Sequence, residues 1–325
     1  MNLPLVSILV PIYGVEKYIE RCAESLFSQS YENIEYVFVN DCTKDRSIEI
    51  LENVITRYPH RKRQIKIISH DRNRGLAAAR NTGVENAHGE YILCVDSDDY
   101  VDMRVVEKLV CKQQENDADI VCCDVYECHQ ESLKLQRNCY AAKPEVFIKK
   151  IFLGKQKHWI WGKLIRKALY EKNSIRAVEG CNMAEDFQVL PRLAYYAKRI
   201  DYVKEPLCFY ECSNSSSYCK TINENLQRQK WQSYDFVYSF FKTTKLCTYI
   251  EYSAADMVYS HLKTCFFSEG LNEDYFNMLK ARWRKLSFFA KARLPLKRRV
   301  FSEICFVMGY FNVKKVIPFF NREMK

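Results

Sequence analysis

At 325 residues, 48% of them apolar, the chain is long enough for one large domain or two small ones and has ample material for a core, which excludes a disordered or fibrous polypeptide. Its fifteen cysteines are odd in number, include no Cys-x-x-Cys pair, and place Cys94, Cys122 and Cys123 in apolar runs, so buried reduced thiols are expected in place of a disulfide scaffold. The net charge of +10 sits at one end: from Phe276 to Lys325 thirteen Lys or Arg stand against two acids, a balance of +11, leaving −1 for residues 1–275.

The first residues, Met1-Asn2-Leu3-Pro4, lead straight into an apolar run with no basic start and no small-residue cleavage site, so no signal peptide is expected. Short Val- and Ile-rich runs follow at Val6–Ile12, Ile34–Val39, Ile65–Ile68, Tyr91–Val95 and Ile120–Val125, as buried parallel strands require. Between them, amphipathic stretches predict helices near 15–29, 45–58, 75–87 and 102–116. This β-α alternation implies an α/β domain with a mainly parallel sheet and helices on both faces.

Ligands of such sheets bind beyond the carboxyl ends of the strands. Those ends carry Pro11-Ile12-Tyr13-Gly14, Asn40-Asp41-Cys42-Thr43 and Asp96-Ser97-Asp98-Asp99. If the chain stays extended past the fourth strand, Asp96 and Asp98 project to the same side and present hard oxygen donors to Mg²⁺ or Mn²⁺ holding a diphosphate. An acidic turn leading into the next helix is the competing reading. Asp41 is suited to accept hydrogens from a nucleotide base or ribose, or, with Thr43, to cap the helix near 45. In the small-residue segment Asn73 to Gly83, Arg80 lies inside a helix, where it reaches a phosphate or holds an aspartate of the tetrad. That segment is neither a Gly-x-Gly-x-x-Gly nor a Walker loop, which removes the main support for dinucleotide and ATPase functions.

From 126 to 215 the periodicity is less regular. His158-Trp159-Ile160-Trp161-Gly162-Lys163-Leu164 offers indole faces to sugars and a lysine to a phosphate, with buried structural tryptophans as the alternative. Glu185-Asp186 stands ahead of an amphipathic helix, Phe187 to Lys198, as a general base or as an ordinary acidic helix start. From 223 onward the pattern predicts helices at 223–245, 248–268 and 273–289. The apolar stretch Ile304–Val313 is far short of the roughly 20 residues that span a bilayer. In the tail, basic residues from Lys280 to Arg299 alternate with Trp283, Leu286, Phe288, Phe289 and Leu294, a pattern suited to an anionic membrane surface. No nucleic-acid recognition motif accompanies these charges.

Taken together, Val6 to Tyr13, Val39-Asn40-Asp41-Cys42-Thr43-Lys44-Asp45, Gly75 to Gly83, Asp96 to Asp99 and Glu185-Asp186 resemble the ordered motif series of family-2 glycosyltransferases with the GT-A fold. The similarity covers about residues 4–210, and the Trp159–Leu164 segment is similar to bacterial members that build capsule and O-antigen chains. The resemblance implies a GT-A catalytic domain over 1–215, with a nucleotide-sugar half (1–125) and an acceptor half (126–215), followed by a helical, basic region over 216–325. It implies inverting transfer of one hexosyl or N-acetylhexosaminyl unit from a nucleotide-diphospho-sugar, with UDP the expected nucleotide, to a glycan or lipid-linked glycan. Carried over residue by residue, Pro11, Tyr13 and Asp41 border the nucleotide and Arg80 lies near its phosphates. Asp96 and Asp98 lie at the ribose and at a Mn²⁺ or Mg²⁺ ion, Asp98 being the direct ligand, and Asp99 is a second ligand or a sugar contact. Asp186 is the base, Glu185 supports it, and Trp159, Trp161 and Lys163 meet the acceptor.

The chain departs from the pattern in three places. Asn40 replaces a frequent aspartate, Gly14 follows Tyr13 where Asn is common, and no Gln-x-x-Arg-Trp follows the base, which argues against a processive polymerase. A non-catalytic nucleotide-sugar-binding module is the alternative; a sugar nucleotidyltransferase ranks below it, because Pro11 to Lys17 does not supply the Gly- and Lys-rich N-terminal loop such an enzyme should have. The expected location is cytoplasmic, peripheral at the inner face of the membrane.

Overall fold

The computed structural model describes residues 3–130, 132–138, 141–214, 223–267, 272–310 and 312–313. The chain divides into two compact units, Met1–Ile151 with Gln156–Ser217, and Phe152–Lys155 with Tyr218–Lys325. Lys314, Lys315, Arg322 and Lys325 of the basic tail lie outside the described residues.

The first unit runs β1 (Val6–Ile12), α1 (Ile19–Phe27), β2 (Ile34–Asn40), α2 (Ser47–Arg57), β3 (Ile65–Ser69), α3 (Leu76–Asn86), β4 (Tyr91–Cys94), β5 (Tyr100–Val101) and α4 (Val105–Asn116). It continues with β6 (Ile120–His129), β7 (Ser132–Gln136), α5 (Pro144–Phe152), β8 (Lys163–Arg166), α6 (Ala168–Lys172), α7 (Glu185–Tyr196) and β9 (Ile200–Glu211). The sheet order is β3-β2-β1-β4-β8-β6-β9-β5, with β7 on β6. Every residue of the central β1 is buried. Alternation assigns its side chains to two layers. Val6, Ile8, Val10 and Ile12 share a core with Ile19, Cys22, Ala23 and Leu26 of α1 and Val105 to Val110 of α4. On the other face Leu9 meets α3, so closely that a Cβ on Gly83 would stand 3.3 Å from the Leu9 side chain. The small residues of α3 therefore set how near this helix lies to the sheet.

The first four strands in the order are parallel, as the β-α alternation predicts. Beyond β4 the sheet is mixed: β8 inserts antiparallel between β4 and β6, and β6 then pairs parallel with β9. The sequence pattern does not mark the later strands β7, β8 and β9. The β6–β9 ladder explains part of this, because its register shifts at Cys123/Asp124 and Asp124/Val125, and Pro206 pairs at the irregularity. Such bulges break strict alternation. The thirteen described cysteines are free thiols, nine of them buried, and burial pushes Cys94 and Cys122 up to about 12.

The second unit holds α8 (Glu224–Phe241), α9 (Cys247–Phe267), α10 (Glu273–Lys285), α11 (Phe288–Ala292) and α12 (Leu296–Met308). Its central helix α9 packs against the other four. Trp231 Nε1 donates to the Tyr275 hydroxyl (3.1 Å), which donates to His261 Nδ1 (2.7 Å). Burial, with Lys230 and Arg282 adding to it, pulls His261 down to about 3 and keeps it a neutral acceptor. The helix predicted over 273–289 is two helices. Ser287 Oγ accepts from Ala290 N and starts α11, so the chain turns at Leu286. No helix among the described residues is long and apolar enough to cross a membrane.

Candidate functional site

The loops after β1 and β2 are tied together. Gly14 N donates to Thr43 Oγ1 (2.9 Å), Val15 N to Ser47 Oγ (3.1 Å) and Glu16 N to Asp45 Oδ2 (3.0 Å). Gly14 adopts φ +69°, where a side chain is strained, and this turn leaves Tyr13 half exposed above buried Pro11. Asp41 does not cap α2. Its Oδ1 accepts from Arg74 N (2.8 Å) and His70 Nδ1 (2.7 Å), and Oδ2 accepts from Gly75 N (2.7 Å). With both oxygens engaged and the residue 3% exposed, Asp41 shapes the loop that enters α3, and only Oδ2, with a single bond, keeps acceptor capacity. The other ring nitrogen of His70, Nε2, lies 2.9 Å from Thr82 Oγ1, so the imidazole bridges Asp41 to α3.

Arg80, in the second turn of α3, joins the acidic motifs. Nη2 donates to Asp96 Oδ1 (2.7 Å), and Nη1 donates to both Glu185 Oε1 and Asp186 Oδ1. Burial alone would lower the guanidinium's pKa, but Asp186, Asp96 and Glu185 hold it well above its ordinary value. Of the two roles open to Arg80, the structure displays that of holding the aspartate. Arg80 Nε is buried without a partner and lines a cavity of about 20 Å³, room for one water, with Tyr170, Arg176 and Cys94 in its wall.

The tetrad is not extended. Asp99 N donates to Asp96 O (3.0 Å), closing a turn directly after β4, so the backbone does not stay extended here, and Asp96 and Asp98 take different hydrogen-bond partners. Asp96 turns to Arg80, Asp98 Oδ2 accepts from Asn214 Nδ2 (2.8 Å), and buried Asp99 Oδ1 accepts from Glu211 N (2.8 Å). Arg21 reaches over from α1, donating to Asp98 O (3.2 Å) and pairing with Glu211 Oε2 (2.8 Å). Burial, then the Asp96 charge, raises Asp98; burial, then Asp98 and Asp96, raises Asp99 well above the carboxylate range. Crowded carboxyls whose ionisation burial and mutual repulsion disfavour present hard oxygens, and a divalent cation relieves that repulsion. No cluster of three metal-ligating side chains is assembled among the described residues.

Glu185 and Asp186 lie in the first turn of α7 and do not precede it. Ala184, at φ +61°, turns the backbone left-handed immediately before them, a strained conformation for a residue with a Cβ. Burial raises both carboxyls. Glu185 is pushed up to about 8 with Arg80 opposing and Asp186 adding to the rise; Asp186 is raised too, with Arg80, the Ile160 N–H and Lys163 opposing and the Asp96 charge adding to the rise.

The tryptophan segment is mostly structural. Trp161 stacks on Trp159 (4.5 Å) and on Tyr210 (5.4 Å) and is buried. Lys163, 1% exposed, directs Nζ toward the Trp161 carbonyl (3.5 Å), so it does not reach outward to an acceptor; β8 carries it into the core. Trp159 keeps a partly exposed ring.

Sequence reasoning missed Arg21, His70, Asn182, Glu211 and Asn214. The strand-end rule applied to β3 would have reached His70. Arg21 carried no signal, being one charge on an amphipathic helix. Asn182 fills the space beside Gly75, where a Cβ would meet its amide at 2.1 Å, and accepts from Ala77 N (3.1 Å) at the start of α3.

Comparison with known proteins adds to this geometry. The model of the family described as glycosyl transferase family 2 matches residues 7–190. The uncharacterized glycosyltransferase EpsJ of Bacillus subtilis is 36% identical over 238 residues, 70% of this chain and 68% of that protein. The structure of S. aureus TarS 1-349 in complex with UDP-GlcNAc superposes with a TM-score of 0.77 at 20% identity, covering 97% of this chain and 91% of that one. The mannosyltransferase PcManGT of Pyrobaculum calidifontis, in complex with GDP-Man and Mn²⁺, gives 0.55 at 14% identity, covering 97% and 88%.

Proposed function

Because the chain belongs to glycosyl transferase family 2 and is a glycosyltransferase of GT-A fold, we propose that it moves one sugar, with inversion, from a UDP-sugar to a hydroxyl of a glycan or lipid-linked glycan in surface polysaccharide assembly. The observation that carries this reading is the Arg80 fork, which joins Asp96 at the end of β4 to Glu185 and Asp186 at the start of α7. A donor-side acid and a candidate base thereby share one counter-ion. The UDP and UDP-GlcNAc complexes of TarS support a uridine donor.

In this reading Asp186 takes the proton of the acceptor hydroxyl as that oxygen bonds to the anomeric carbon, and the bond from that carbon to the diphosphate oxygen breaks on the opposite face. The nucleoside diphosphate leaves with the bonding pair, and the proton rests on a carboxyl whose pKa burial has already raised. Glu185 shares Arg80 with the base and fixes its direction. Tyr13 and Pro11 border the nucleotide, with Asp41 holding the adjoining loop, and Asp99 holds the turn beside the sugar through Glu211 N. The hard donor set fits Mn²⁺ or Mg²⁺, with Asp98 as first ligand and Asp96 beside it; such an ion supplies Lewis-acid stabilisation of the diphosphate. Trp159 offers the exposed ring for an acceptor sugar. A lipid-linked acceptor locates the enzyme at the cytoplasmic leaflet, with the basic C-terminal region toward its anionic surface.

A panel of nucleotide-sugars, each with Mn²⁺, tests the donor by thermal stabilisation. Asp186→Asn should abolish transfer while donor stabilisation persists. Full transfer by that variant removes Asp186 as the base, and stabilisation by no nucleotide-sugar removes the function.

A further inference from the structure

The fold separates the basic tail into parts with different fates. Trp283 and Leu294, which the sequence placed among the outward aromatic and aliphatic residues, are buried. Arg282 forms a two-point pair with Asp235 (2.7 Å each) and Arg298 pairs with Asp256, so those charges are spent inside the second unit. A different apolar set stays in solvent: Phe288 is 75% exposed, Phe289 69%, Leu296 64%, Val300 44%, Ile304 45% and Val307 85%. On α12 the spacing 296, 300, 304, 307 puts four of these on one face. Ser302, Cys305 and Phe306 fill the opposite, buried face. The helix is thus amphipathic in two directions, with its core side satisfied and its outer side apolar. α11, short and capped by Ser287, adds two adjacent phenylalanines.

The charges that the segment from α10 to α12 carries beside this stripe are almost all positive, the acids that meet it from α9 being Asp256, paired with Arg298, and Glu251, bonded by Ser287 Oγ. Arg284, Lys285, Arg293 and Lys297 are exposed and Lys291 and Arg299 half-exposed, while Glu303 is the single acid from Phe276 to Val313. Glu303 in turn accepts from Trp283 Nε1 (2.9 Å). Exposed aromatic and branched side chains ringed by Lys and Arg match the two layers of an anionic bilayer, apolar acyl chains beneath negative headgroups.

We propose that Phe288, Phe289 and the outer stripe of α12 form a docking face that seats in an anionic lipid surface, the apolar side chains entering the headgroup boundary while Lys285, Arg293, Lys297 and Arg299 meet the lipid phosphates. The proposal rests on the membrane-proximal reading above and assigns it to particular side chains. It requires no transfer chemistry. Each well-placed basic residue strengthens anionic-lipid binding about fivefold, so losing three of them weakens it by about a hundredfold.

Flotation of the full chain with vesicles of phosphatidylglycerol and phosphatidylcholine, against phosphatidylcholine alone, tests it. The expected result is binding to the anionic vesicles only, reduced at least tenfold in Phe288→Ser/Phe289→Ser/Val307→Ser and in Lys285→Glu/Lys297→Glu/Arg299→Glu, with unchanged thermal unfolding of the serine variant, whose three side chains are largely in solvent. Binding by both variants equal to that of the parent overturns the face while leaving the membrane reading intact. Failure of the parent itself to bind overturns both. A parent that self-associates without binding vesicles, and becomes monomeric with the serine changes, shows that a second copy covers the face and also overturns the proposal.

Discussion

Replacing Arg80 with Met removes the one cation that Glu185, Asp186 and Asp96 share. All three pairs are largely shielded from water, the guanidinium being 9% exposed and the carboxylates 9%, 11% and 22%. Leaving buried charge unpaired costs about 3–5 kcal/mol, a large part of the total stability of about 5–15 kcal/mol. The loss is pH-dependent, and its sign follows from the direction of the shifts. Glu185 is raised from 4.5 to about 8, so the folded state binds more protons than the unfolded one and stability declines as pH climbs through that interval. Without Arg80 the carboxyls lose the contribution that lowers them, their protonation extends to higher pH, and the decline steepens. Tyr170, Cys94, Arg176 and Lys163 also face this group, and none of them replaces the fork. Urea unfolding at about pH 5 and about pH 8 should show a modest deficit for the variant at the lower pH and the full deficit at the higher. Equal stability of parent and variant at both values, within about 1 kcal/mol, would refute the clamp. Arg80→Lys keeps a charge but cannot fork to three carboxylates, so it should fall between the two.

Asp41→Asn replaces an acceptor pair with an amide facing two backbone N–H groups and His70, and should cost about 3 kcal/mol in urea unfolding. Gly75→Ala meets Asn182 in a residue at φ +89° and should lower stability by about 1–3 kcal/mol; adding Asn182→Ala should recover only part of it, since the backbone strain remains. Asp98→Asn should abolish the Mn²⁺-dependent part of donor-induced thermal stabilisation, and chelation should do the same to the parent; an unchanged melting shift in both experiments argues against the ion. Tyr275→Phe orphans the buried Trp231 N–H and His261 and should cost about 2 kcal/mol by the same unfolding assay, with no effect on donor binding.

What the sequence determined by itself is the local part. Short Val/Ile runs alternating with amphipathic stretches are set by backbone period and by burial on both faces, and β1 to β4 with α1 to α4 lie where those periods put them. The acidic tetrad was visible because it follows the end of β4, and the small-residue motif because small side chains recur along one helix, α3. What only the tertiary structure decided depends on contacts across long stretches of chain. Arg80 reaches residues 105 and 106 positions away, Asn214 meets Asp98 from 116 positions away, and Asp99 is held by the backbone of Glu211. The sequence left Trp161 open between a sugar-facing and a buried role and offered Lys163 to a phosphate; the antiparallel insertion of β8 between β4 and β6 buries Lys163, and stacking on Trp159 and Tyr210 encloses Trp161. In the tail, composition announced a basic apolar surface, but which side chains face water was settled by the break at Ser287 and by the packing of α9 against its neighbours. Periodicity records how a segment folds on its own axis; which of its faces meets a partner is fixed only when distant segments compete for the same surface.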